Sequence, residues 1–143
     1  MKNLRSQLPI FIVLFVLAIS CKKDNNGPGP SQSLSSTILQ GNWRITYFND
    51  SGNDETSQFS AYSFQFNGDG TVIASKNNDT KTGTWTEGSD NSQSKLILNF
   101  GNNPPFDDLN EDWHVTMQNE SMIKLQHVSG GNGGTDLLYF EKL

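Results

Sequence analysis

From Gly41 to the C-terminus, apolar and polar residues alternate with a period of two in short runs broken by turn residues. That period belongs to half-buried strands rather than to helices. "NWRITYF" places Trp43, Ile45 and Tyr47 on one face, and "YSFQF" does the same for Tyr62, Phe64 and Phe66 before "NGDG" turns the chain into "TVIAS". "TGTWTE" sets Trp85 between threonines, "KLILNF" alternates Leu96, Leu98 and Phe100, and "DWHVTM" alternates Trp113, Val115 and Met117. "MIKLQHV" sets Ile123, Leu125 and His127 against Met122, Lys124 and Gln126, and "TDLLYFEKL" ends the chain. Eight strands of five to nine residues are expected.

No segment between them has helical periodicity long enough for a crossover, and "NGDG", "EGSDNSQS" and "SGGNGG" are hairpin-like or flexible connections. Sequential antiparallel pairing follows. An antiparallel sheet with one oily face hides that face and its edges by closing on itself, so the expected fold is all-β: a small eight-stranded up-and-down barrel, with a β-sandwich as the alternative. "SLSSTILQ" supplies a short helix whose Leu34, Ile38 and Leu39 plug one end. The alternation sends Trp43, Tyr47, Phe64, Phe66, Trp85, Phe100 and Trp113 inward. An eight-stranded barrel either fills with its own side chains or holds one small ligand. Aromatics in this number favour a largely occupied lumen with a shallow apolar mouth near Tyr62 and His127.

The first twenty residues change the picture. "MKNLRSQLP" carries two positive charges, "IFIVLFVLAI" is unbroken apolar, and Ser20 is a small residue before the chain's single cysteine, Cys21. This is the order of a secretory leader, and the apolar run is about half the ~20 residues of a spanning helix. "AISC" resembles the lipobox of bacterial lipoproteins, with Ala18 where that motif usually carries leucine and Leu17 one place earlier. The resemblance implies that Cys21 is acylated and becomes the mature N-terminus. An ordinary secretory leader is the alternative. "KKDNNGPGPSQS" then has no apolar residue to bury and reads as a solvated tether. Its lysines and Asp24 resemble the surface-routing signal of Bacteroidetes lipoproteins, although a plain linker explains them equally well. The expected organisation is a leader over 1–20, a tether over 21–33 and one barrel domain over 34–143.

"LQGNWRITYF" resembles the first strand of lipocalin-like domains in Bacteroidetes lipoproteins, with Gly41-Asn42-Trp43 matching the lipocalin Gly-x-Trp. "FQFNGDGTV", "GTW", "FDDLNEDWHVTM" and "LLYFEKL" are similar, in order, to that family's later strands and loops, so the likeness covers residues 39 to 143. It implies a small lipocalin-like barrel of a kind that often holds small apolar molecules.

Charge and chemistry narrow the rest. Loss of Lys2 and Arg5 with the leader takes the net charge from −5 to −7, and no basic stripe remains, so nucleic acid is not an expected partner. A lone cysteine makes neither an internal disulfide nor a multi-thiolate metal site. No cofactor or metal is expected. His114 and His127 lie on separate strands without a nucleophile turn, so no catalytic residue and no enzyme activity are expected. The alternation sends His114 outward and aims His127 inward near a rim, where a structural histidine is preferred over a ligand-binding one. Asp107, Asp108, Glu111 and Asp112 could crowd around calcium, but they lack the spacing and central glycine of a calcium loop; a solvated turn or short helix is the default. The functional expectation is a membrane-anchored outer-membrane lipoprotein of the cell envelope, with surface exposure as one option, that binds a small hydrophobic or amphipathic ligand through Tyr62, Trp85, Trp113 and His127. The alternative is a non-enzymatic platform with a filled barrel that contacts another envelope protein, a glycan or a host factor.

Overall fold

The described residues open with a short helix, α1 (Leu34–Ile38), and continue as β1 (Asn42–Asp50), β2 (Asn53–Asp54), β3 (Ser63–Phe66), β4 (Thr71–Lys76), β5 (Asp79–Asp90), β6 (Gln93–Asn99), β7 (Asp112–Gln118), β8 (Met122–Val128) and β9 (Thr135–Lys142). This is a computed structural model, and it describes residues 32–128 and 134–143. Leader, Cys21, most of the tether and most of "SGGNGG" lie outside the described residues. Each strand from β3 to β9 pairs antiparallel with the next, and β1 pairs with both β3 and β9. The eight expected strands thus close into the expected up-and-down barrel. β2 is an addition, folded back onto the end of β1. Among the described residues no helix is long and apolar enough to cross a membrane.

The turns follow local chemistry. "EGSDNSQS" is mostly strand rather than a flexible link: β5 and β6 run to Asp90 and Gln93, and only Asn91 and Ser92 turn, both at positive φ (46° and 68°). Paired positive φ is the backbone of the tight hairpin turns that match strand twist.

Two bulges change which side chains face in. Ile45 pairs with Phe140 but Tyr47 pairs with Tyr139, so Thr46 is an extra residue on β1. Past it the parity inverts, so the expected inward placement of Tyr47 is corrected: Phe48 is buried in its stead, and Tyr47 packs its ring 5.2 Å from Tyr139. Likewise Thr116 is extra between the pairs Val115–Leu125 and Met117–Lys124, so Met117 does not share the face of Trp113 but is exposed.

The interior is occupied. Trp43, Phe64, Phe66, Trp85, Phe100 and Trp113 are all buried as expected, joined by Phe48 and Phe140. Rings meet mostly edge to face, as in Phe64–Phe140 at 5.5 Å and Phe66–Trp85 at 5.7 Å. α1 covers one end with Leu34, Thr37 and Ile38; Leu39, expected in that plug, is instead exposed. At the other end, 3-10 turns at Thr56–Phe59 and Phe106–Leu109 insert Phe59, Phe106 and Leu109, and the Phe59 and Phe106 rings meet at 5.4 Å. The "FDDL" stretch is therefore a short helical turn.

Each indole N–H ties a helix or turn to the barrel. Trp43 donates to the Ile38 carbonyl (2.8 Å), Trp85 to Asn67 (2.9 Å) and Trp113 to Leu109 (3.0 Å). These bonds give the Gly-x-Trp stretch a physical role: Gly41, at φ 109°, turns the chain out of α1, and Trp43 reaches back to hold the helix end.

Glu87 on β5 holds the start of the same helix. Its carboxylate accepts from the backbone N–H groups of Leu34 (3.1 Å) and Ser35 (2.9 Å) and from the Ser35 hydroxyl (2.5 Å). Burial opposes ionisation, but together the hydrogen bonds from Ser35, Leu34 and Ser94 outweigh it and lower the pKa. A depressed pKa means stability that is fully present above the unfolded value near 4.5 and lost as pH falls through the folded one. Glu87→Ala should therefore lower stability by about 1 kcal/mol at pH 7, the scale of a lost helix cap. The gap from wild type should shrink as pH drops below about 4.5, read by denaturant midpoints along a pH series.

Candidate functional site

The four residues expected at a binding site do not converge. Tyr62 lines an outer cleft of about 440 Å³ between β1 and β3, together with Ile45, Thr46, Ser60 and Ala61. The cleft exists because β1 and β3 pair only through Asn42–Gln65 and Trp43–Phe64 before the strands part. The Tyr62 ring stands edge-on to Phe106 at 5.0 Å, with the Lys76 ammonium 5.3 Å from its centroid. Its hydroxyl donates to the Asp79 carboxylate, which raises the phenol pKa and lowers that of the acid. Trp85 borders a second, wide-open groove of about 650 Å³ beside Ser35, Gly70 and Glu87.

Trp113 and His127 do come together, at the β7–β8 rim. Their rings lie 6.2 Å apart, edge to face. His127 is mostly buried, its side chain 18% exposed, and its Nδ1 lies 2.8 Å from Glu111 Oε2, just ahead of β7. That contact is out of line for a hydrogen bond, so the buried Nδ1 has no hydrogen-bond partner. Beside it Asp112 accepts from Lys95 Nζ at 2.7 Å, and Asp90 stands 3.5 Å from the same ammonium. The bond from Lys95 holds the Asp112 carboxyl below its ordinary pKa, and the bond to Asp112 raises that of Lys95. His114 is half-buried and sits opposite Lys95 and Gln126 in the ladder.

A second acidic group lies around the turn at Phe106–Leu109. Burial chiefly, and then the charges of Asp107, Glu55 and Asp50, raise the Asp108 pKa. Four carboxylates thus share this rim, and their mutual repulsion opposes the ionisation of Asp108. Buried Asp136 on β9 has a structural task, accepting from the Ser51 N–H at 2.7 Å where β1 turns into β2. Neither Glu87 nor Asp136 stands out in the sequence, because each acts on backbone more than fifty residues away.

No family profile matches this chain, and none of the curated proteins matches it. Among solved structures, the crystal structure of a DUF4847 family protein from Bacteroides vulgatus is similar, at 17% identity and a TM-score of 0.52, covering 78% of this chain and 98% of that one. At that identity the likeness shows a shared fold.

Proposed function

We propose that this protein is a non-enzymatic envelope lipoprotein whose filled barrel is a rigid platform for contact with another envelope protein, a glycan or a host factor. Acylated Cys21 anchors it, and the polar tether holds the barrel off the membrane. The single observation that carries the platform reading is the occupied interior: the inward positions bear interlocked aromatic side chains, and both ends are covered by bonded segments. Anchoring rests on the sequence order of leader, Ser20 and Cys21, and acyl chains contribute about 0.8 kcal/mol per buried methylene. The lipocalin-like motifs fit this reading as a scaffold whose cup has been filled.

A second reading is favoured by the cleft beside Tyr62, which opens between β1 and β3 and is large enough for a small amphipathic molecule. Titration of the mature protein with fatty acids, retinoids and bile-acid-like amphiphiles, followed by tryptophan emission, separates the two. The platform reading predicts no saturable response. A saturable response weakened by Tyr62→Ala would replace it with ligand binding at the outer cleft. For the anchor, Cys21→Ser should abolish acyl labelling and leave an uncleaved precursor; normal processing and membrane retention would contradict it.

A further inference from the structure

We propose that Glu111, Asp112 and His127 form a binding site for one divalent transition-metal ion of the zinc, cobalt or nickel class. One ligand atom from each of the three residues lies within 4.8 Å of the others. Ions of this class sit about 2.0–2.2 Å from nitrogen and oxygen ligands, which places those ligands roughly 3 to 4 Å apart. Closing the cluster on an ion therefore takes small side-chain rotations rather than backbone movement.

The independent pointer to a ligand is His127 itself. Its Nδ1 is buried, has no hydrogen-bond partner, and faces Glu111 Oε2 at 2.8 Å off the hydrogen-bond line. A buried polar atom without a hydrogen-bond partner is costly. A cation touching both atoms resolves the contact, because each then donates its lone pair to the same centre. Lys95 does not block this role. It bonds Asp112 through Oδ2 and leaves Oδ1 available, much as outer partners orient carboxylate ligands at metal sites.

The ligand set selects the ion. One imidazole and two carboxylates suit zinc and its first-row neighbours, whereas calcium and magnesium prefer all-oxygen shells. The carboxylates of Glu111, Asp112 and Asp90 outnumber the single ammonium of Lys95, leaving net negative charge to receive a dication. The ligands are also held in place, since Asp112 opens β7, His127 lies near the end of β8, and the Trp113 ring stands beside the imidazole. Three protein ligands leave the remaining positions to water.

The test uses the full-length protein without an affinity tag, titrated with Zn²⁺ by calorimetry and with Co²⁺ by visible absorption and by quenching of tryptophan emission. One saturable equivalent is expected. His127→Ala and Glu111→Gln should each weaken it at least tenfold, while metal-free denaturant midpoints establish that both variants are folded. His114→Ala controls for stray imidazole binding and should stay within twofold of wild type. Absence of saturable binding would overturn the proposal. So would wild-type affinity in folded His127→Ala or Glu111→Gln, or a loss that follows His114 instead.

Discussion

Truncating Trp43 to alanine is expected to destabilise the barrel by about 3–5 kcal/mol, the range for removing a large buried aromatic. The side chain is fully buried at the start of β1, next to the β3 and β9 ladders, and its indole N–H holds the end of α1. Two losses therefore combine: the packing of the ring and the fastening of the helix that covers the barrel end. Trp43→Phe separates them. It retains most of the apolar surface but leaves the Ile38 carbonyl without its donor, a loss of about 1 kcal/mol. Hydrogen exchange in Trp43→Phe should accelerate first at α1 amides, while denaturant midpoints rank wild type above phenylalanine and phenylalanine well above alanine. An unchanged midpoint in Trp43→Ala would mean that the inward register of β1 is wrong.

Gly83 is the second position of large effect, for the opposite reason. It lies buried in β5, and a Cβ there would meet the Asn99 carbonyl oxygen at 2.7 Å and Phe100 Cδ1 at 2.7 Å. The glycine is needed for close approach between backbones and a core ring. Gly83→Ala should cost about 1–3 kcal/mol through overpacking, and valine more. Gly88, five residues along the same strand, is the comparison. Its added Cβ would meet only the Ile97 Cδ1 methyl, at 3.2 Å, which can rotate away. Denaturant midpoints should fall in Gly83→Ala and barely move in Gly88→Ala; equal midpoints would contradict the packing of Phe100 against β5.

Strands and barrel closure were legible because a sheet with one oily face writes its period into the chain at every strand. The bulges were not, since an extra residue such as Thr46 or Thr116 looks like any other until its partner strand is in place. That one-residue slip is why Phe48 rather than Tyr47 fills the lumen and why Met117 faces out. Phe59 and Phe106 were equally hidden, because 3-10 turns of four residues carry no periodicity of their own. His127 could be aimed inward from its strand alone. Its meeting with Glu111 depends on how β7 and β8 are staggered, which the alternation within each strand does not record.

The barrel interior is occupied by its own side chains, and an apolar gas reports on that packing. Xenon enters dry apolar cavities of sufficient size and leaves packed cores alone. In ¹²⁹Xe NMR of the mature domain, the wild-type protein should show only the weak, linear shift of surface contact, whereas Trp43→Ala, kept folded at low temperature, should show saturable binding in the space left by the indole. Saturable xenon binding by the wild-type protein, with matching perturbation of Phe64, Phe100 or Trp113 resonances, would contradict a filled barrel.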